Sequence, residues 1–495
     1  MQIPYLLLQV IVLPIIVAVF IGLFGKRANK RFSWLVFAVL AYTSFLLLVA
    51  GFDLWTGKAP IVEEYSWTTA VFNLKFGFQS DGLSLPVALI MNLIVTALAV
   101  YSGRYMEHRI EELYGKENRG MYAVYYSVYL LFSIGLVGVA LSTNLIELYV
   151  FVELALIPSY ILIDLFGYRD RHRIAMMYFL WNHVGAGLFL IGTVLAFSGN
   201  GGSFDITALS KISGTSLGFW VCLLILVGWL VKMATFGFHV WLPYAHGEHP
   251  TSIAAIIATI VGLGNYVIVR LLFGQMYSTF QIFSLPLMVL ALITITYGAF
   301  LTLAQDDVKR LYACSTISQT AYSLLGIASL TVLGVEGGVF YFLSHILGKC
   351  ILFSIAGILV TQTGLRSIKQ MGGLARKMPL TATLCIMGSM ILSAMPPLSG
   401  FQAEWMLFAG VFQQGIIGTP VKLAVAVIGI FATFLTAVYT FWPAIRIFFG
   451  ELPASLENVK EAPLSMTIPL FVLAAISFVI GVFPELITRF LNSVI

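Results

Sequence analysis

Long apolar stretches alternate with short polar loops along the whole chain. A bilayer crossing needs roughly 20 mostly apolar residues. Fourteen such stretches occur, at about 4–24, 32–51, 82–103, 122–142, 144–165, 175–197, 217–243, 251–273, 280–303, 311–331, 337–362, 379–412, 421–447 and 466–486. None shows the short alternating segments of a membrane barrel. Helices pair every amide within hydrocarbon, so each stretch is predicted to be helical. The expected fold class is an all-α membrane protein with about 14 transmembrane helices. Residues 1–24 carry their basic cluster behind the apolar run and no small-residue cleavage site, so they read as a permanent span and not as a signal peptide.

Composition agrees with this pattern. Of the residues, 60% are hydrophobic and 10% charged, against about 25% charged in soluble proteins. That excludes a water-soluble enzyme, a disordered chain and a nucleic-acid binder. With fourteen crossings, one set of loops holds Lys26, Arg27, Lys30, Arg31, Arg104, Arg109, Lys116, Arg119, Arg169, Arg171, Arg173, Lys309, Arg310, Arg366, Lys369, Arg376, Lys377, Arg446 and Lys460. The other set holds Lys58, Lys75, Lys211, Arg270, Lys422 and Arg489. Cations gather on the cytoplasmic side, so both termini are expected outside. Cys222, Cys314, Cys350 and Cys385 sit in apolar surroundings without a C-x-x-C pair, and read as core residues. There is no dinucleotide fingerprint or P-loop. No cofactor or metal is expected on this chain.

Five titratable residues fall inside apolar spans: Glu147, Glu153, Lys232, Lys349 and Glu404. Such groups are costly at membrane depth and usually mark ion paths or proton relays. The bland alternative is a set of buried ion pairs, or side chains snorkelling to an interface. Glu153 is near mid-span, with Pro158 following it, whereas Glu147 lies about 240° away around the helix and nearer the outer end. Lys232, His239 and His246 are spaced by seven, so a continuous helix would align them on one face. His246 also reads as an ordinary loop residue. His345 and Lys349 are four apart and share a face. Glu404 follows Pro396, Pro397 and Gly400, which do not support a regular helix. Two half-helices are expected there, the arrangement with which transporters build ion sites.

Four segments in order carry a family resemblance: KMATFGFHVWLPYAHGEHPTSIAA, QDDVKRLYACSTISQTAYSLLG, HILGKCILF and MPPLSGFQAEW. With FQSDGLSLPVALI ahead of them, the chain resembles the antiporter-like subunits of respiratory complex I, of Mrp sodium/proton antiporters and of membrane-bound hydrogenases. The complex I M-type and Mrp D-type subunits are the nearest in pattern. The resemblance implies two inverted five-helix repeats, each with a broken helix, over 122–273 and 280–447. Residues 1–121 and 448–495 flank them, and Gly237 falls in the first break. It implies that Glu153 pairs with Lys232, that His345 and Lys349 form a central relay, and that Glu404 is the exit residue. There are departures: Gly262 stands where the family often has lysine, Ala234 and Gly237 stand where a proline after the lysine is usual, and Gln319 where a histidine sometimes stands. His239 is a candidate substitute for the missing lysine.

The expected function is ion translocation, of H⁺ or Na⁺, within a multi-subunit redox-driven complex of the NADH/quinone, F420H2, ferredoxin or hydrogenase type. Iron–sulfur clusters or other redox cofactors belong to partner subunits. The expected partners are other antiporter-like and small membrane subunits, a hydrophilic redox arm and the lipid bilayer of a prokaryotic cell membrane. The alternatives are an Mrp-type antiporter subunit without redox partners, or a scaffold or quinone-site subunit.

Overall fold

Amides in hydrocarbon must pair locally, and the apolar stretches are accordingly helical. The computed structural model describes residues 3–25, 31–68, 73–116 and 118–495. Lys26, Arg27 and Lys30 of the first basic loop lie outside the described residues. In order the elements are α1 (Leu6–Phe24), α2 (Phe32–Trp55), β1 (Ile61–Thr68), β2 (Asn73–Ser80), α3 (Ser84–Tyr114), α4 (Gly120–Leu141), α5 (Leu145–Phe166) and α6 (Arg171–Gly199). There follow α7 (Ser216–Lys232), α8 (Leu242–Glu248), α9 (Thr251–Val267), α10 (Tyr277–Phe280), α11 (Ser284–Leu303), α12 (Val308–Ala328) and α13 (Val332–Thr363). The chain ends with α14 (Pro379–Leu392), α15 (Ser399–Ile417), α16 (Pro420–Phe448), α17 (Leu464–Val482) and α18 (Glu485–Leu491). Among the described residues, eleven helices are long and apolar enough to cross a membrane. Three further crossings are more polar or interrupted: α7 with α8, α12, and α14 with α15. The protein is an integral membrane protein. Its centre is α12 and α13, which are buried over most of their length.

The segment between the second and third spans is more than a loop. It folds as an antiparallel hairpin, pairing Ile61 with Ser80 through Thr68 with Asn73. The hairpin closes two helix ends. Glu63 accepts from the amides of Leu7 and Leu8 at 3.0 and 2.9 Å, an anion where the α1 dipole is positive. Gly77 N donates to Glu147 at the start of α5 at 3.2 Å.

Two cations assigned to loops by sequence are internal. Arg270 lies in a π-helical turn, Ile268–Phe273, that extends α9. It makes a two-pronged ion pair with Asp81, at 2.7 and 2.6 Å. Lys309 is fully buried in the first turn of α12 and donates to the His249 carbonyl at 2.7 Å. Both stand at span ends, where hydropathy alone does not separate a loop charge from a buried one. Burial by itself would raise the Asp81 carboxyl, but the Arg270 guanidinium and the Leu83 and Ser84 amides hold it below its ordinary value. The pair's stabilisation is therefore complete above the unfolded-state pKa near ~3.9 and is lost as pH falls through the lower folded value. Asp81→Asn leaves a buried guanidinium unpaired. It is expected to cost about 3 kcal/mol, measured as a lowered thermal midpoint in detergent at neutral pH, with the difference from the natural protein shrinking in acid.

The two helix breaks share one hydrogen-bond pattern. Ala234 and Ala394, 160 positions apart, both adopt the left-handed conformation, with φ of 53° and 52°. At the first break Met233, Ala234 and Thr235 donate to Trp229, Val231 and Leu230. At the second, Ser393, Ala394 and Met395 donate to Ser389, Ile391 and Met390, the same offsets. Gly237 lies in the first break with φ 92°. Pro396 and Pro397 lie in the second. Gly400 does not, because it is already in the first turn of α15, where a side chain would collide with the Ile391 carbonyl. A second correspondence joins the starts of α5 and α12. Leu145 N donates to Phe204 O and Val308 N to Arg366 O, beside the bridges Asn144–Asp205 and Asp307–Ser367.

Candidate functional site

One end of the polar line is on α5, α6 and α7. Oε1 of Glu153 lies 3.3 Å from Nδ1 of His183 on α6, with Tyr149 beside the carboxylate one turn earlier. Lys232 is the last residue of α7 and is 4% exposed. It interacts with Glu153 through space, but no ion pair joins the two among the described residues. His183 therefore stands nearer the carboxylate than the lysine does. Gly185 keeps α6 close to this group: a Cβ there would stand 3.2 Å from Lys232 Cγ. His183 was open to sequence reasoning, because it lies in an apolar span and the depth criterion that singles out Lys232 applies to it equally. Glu147 belongs elsewhere. It is buried against the hairpin, and its own amide is capped by Asn144 at 2.7 Å.

The file Lys232–His239–His246 does not form, because the helix is broken between its members. His239 turns outward, stacks on Phe236 and bonds the Tyr297 hydroxyl of α11 at 3.1 Å. His246, on α8, turns inward and is fully buried, with no hydrogen-bond partner for either ring nitrogen among the described residues. It is a central residue and not part of a loop. Its electrostatic neighbours include His345 and Lys349 of α13 and Lys309 of α12. Lys349 donates to the Tyr312 carbonyl at 2.9 Å and to the Ser315 hydroxyl. Nε2 of His345 is buried without a partner. His249 is held in place, with Nδ1 2.7 Å from the Ala245 carbonyl and Nε2 3.3 Å from that of Ser159.

Between the centre and α15 lies a hydrogen-bonded cluster of Tyr341, Gln319, Tyr439, Thr436 and Tyr322. The Tyr341 hydroxyl donates to Gln319 Oε1 at 2.8 Å, and Gln319 Nε2 donates to the Tyr439 hydroxyl at 2.7 Å. Tyr439 and Tyr322 flank Thr436 at 3.1 and 3.2 Å. Glu404 interacts with Tyr322, Tyr341 and Tyr439. The arrangement is a file of titratable and hydroxyl groups between the two broken helices, suited to passing protons. Among the described residues no group of His, Cys, Asp and Glu could hold a metal.

Residues 142–436 match the family described as NADH:quinone oxidoreductase/Mrp antiporter, transmembrane. The chain belongs to this family. It is 31% identical to NAD(P)H-quinone oxidoreductase chain 4-2 of Synechocystis sp. over 93% of this chain and 81% of that one. It is 30% identical to chain 4 1 of Nostoc sp. over 98% and 89%. Among solved structures, a chain of respiratory complex I from Thermus thermophilus with bound NADH superposes with a TM-score of 0.86 at 24% identity, covering 99% of this chain and 98% of that one. A chain of the Mrp complex from Dietzia sp. gives 0.86 at 20%, covering 99% and 96%. The membrane-bound sulfane sulfur reductase, an archaeal respiratory membrane complex, gives 0.84 at 25%, covering 99% and 77%.

Gly262 is the position where the resemblance leads one to expect a lysine. The space a side chain would use there is filled by Phe342 of α13, whose Cδ2 is 2.5 Å from an ideal Cβ. His239, on the far side of the break, contacts Phe236 and Tyr297.

Proposed function

We propose that the chain is the proton-translocating, antiporter-like subunit of a redox-driven membrane complex. The observation that carries this is the fully buried His246–His345–Lys349 centre, flanked by two helix breaks that bear Lys232 and Glu404. Two unit charges about 6 Å apart at an effective dielectric near 20 interact by roughly 3 kcal/mol, about a hundredfold in a protonation equilibrium. A proton on any one of the three central groups therefore discourages a second on its neighbours, and an arriving charge drives the resident proton onward. Glu153 is the switch at the near end. Its carboxylate is shared between His183 and Lys232, so a charge change outside the α5–α6 face alters how firmly Lys232 holds its proton. Gln319 and the tyrosines pass the proton to Glu404.

The matching hydrogen bonds at the two breaks, and at the starts of α5 and α12, support two inverted repeats over 122–273 and 280–447. Redox cofactors, including iron–sulfur clusters, lie on a hydrophilic arm and other partner subunits. The basic face is cytoplasmic, with both termini outside a prokaryotic cell membrane. The quinone oxidoreductase names of the 31% and 30% identical relatives favour this over the Mrp-type reading. Reconstituted complex is expected to take up protons only when given electron donor. Uptake driven by a sodium gradient without donor would instead establish the antiporter reading.

A further inference from the structure

At the basic face α3, α13 and the start of α17 enclose an open cavity of about 280 Å³. Its walls include Arg104, Glu107, His108, Glu111 and Gln362, with Arg104 and Glu107 ion-paired to each other at 2.5 Å, and its floor is Tyr105, which is 1% exposed. The floor is bonded inward. The Tyr105 hydroxyl accepts from the Thr251 amide at 2.9 Å and meets the Tyr168 hydroxyl at 2.6 Å. Beneath it Tyr101 stacks on the Tyr105 ring, 5.7 Å between centroids, and donates to the Ser354 carbonyl at 2.8 Å.

Independently of the wall acids, the fully buried Ser354 Oγ has no hydrogen-bond partner among the described residues, and the fully buried Thr251 Oγ1 has only the neighbouring Tyr101 hydroxyl. A buried hydroxyl left unmatched costs about 1–3 kcal/mol, so such groups in series mark a path for exchanging partners. Gly357 leaves the space that Thr251 Oγ1 and the Tyr101 hydroxyl use, since a Cβ there would collide with both. Phe353, next to Ser354, packs its ring 5.5 Å from that of His246. Lys349 is five residues deeper on the same helix, about 7.5 Å along the axis.

We propose that this cavity is the proton-uptake vestibule: His108 and Glu111 collect protons beside the Arg104–Glu107 pair, and Tyr105, Thr251, Tyr101 and Ser354 pass them to His246 and Lys349. Each hydroxyl gives one proton inward and takes one from the vestibule side, so one proton moves and no oxygen is displaced. Beside the neck, Arg109, Lys309 and Arg366 surround the Tyr168 ring at 3.8, 4.2 and 5.9 Å from its centroid.

This inference rests on the pump reading, and the test separates the two. Donor-driven proton uptake per electron is measured for the whole complex in vesicles with the basic face outward. Tyr105→Phe and Thr251→Val are each expected to lower it several-fold. Gln362→Cys, compared before and after a bulky maleimide, is expected to lose uptake on labelling, the four native cysteines being buried. If Lys349→Met abolishes the chain's share of uptake while Tyr105→Phe, Thr251→Val and the labelled cysteine pump normally, the vestibule is elsewhere and the pump reading stands. If Lys349→Met pumps normally, both readings fall.

Discussion

Lys349→Met is expected to reduce the proton translocation contributed by this chain to background while leaving the complex assembled. Methionine has nearly the length of lysine and no polar end, so the fully buried site stays filled. What is lost is the ammonium that bonds the Tyr312 carbonyl and Ser315. The carbonyl keeps its helical partner and Ser315 its bond to Tyr312 O at 3.0 Å, so few groups are orphaned. Removing a buried charge also removes its desolvation cost. Thermal stability should therefore hold or rise while protons per electron fall. A large loss of stability with pumping retained would make Lys349 a structural residue.

Gly262→Lys, which restores the residue often found in the family, is expected to destabilise the protein and not to improve it. Its Cβ would approach Phe342 to 2.5 Å, and Ile346 stands 3.8 Å away. Both neighbours are on α13, buried at the centre of the bundle, where little can move. Overpacking of this kind costs about 1–3 kcal/mol before the buried charge is counted. The expected result is a sharp drop in detergent-extracted, folded protein. Gly262→Lys combined with Phe342→Ala should recover much of it, because the alanine vacates the volume that the lysine stem needs. If the single variant is as stable as the natural protein, the filled-space account of this departure is wrong.

The spans, the central residues and the second break were legible because each is written locally. Apolar runs define crossings, a lysine amid leucine and valine declares itself, and proline interrupts a helix. His183 and His246 were harder to judge. His183 was overlooked among apolar neighbours, and His246 follows a proline and an aromatic-rich segment that reads as a loop. Only its inward turn after Gly237 makes it central. Arg270 and Lys309 stand at span ends, where a sequence does not reveal whether a charge meets water or a buried partner.

Sequence by itself determined that this chain lives in a bilayer, how often it crosses, where its second helix breaks and which lysines and glutamates are stranded at depth. Those properties follow from side-chain polarity and backbone geometry within a few residues. Tertiary structure alone decided that His183 stands beside Glu153, that His239 turns outward and His246 inward, that Phe342 fills the space a side chain at Gly262 would use, and that tyrosines from α3 reach Thr251. Each of these depends on which helices pack together and how far they approach, and that is set by contacts between residues tens to hundreds of positions apart.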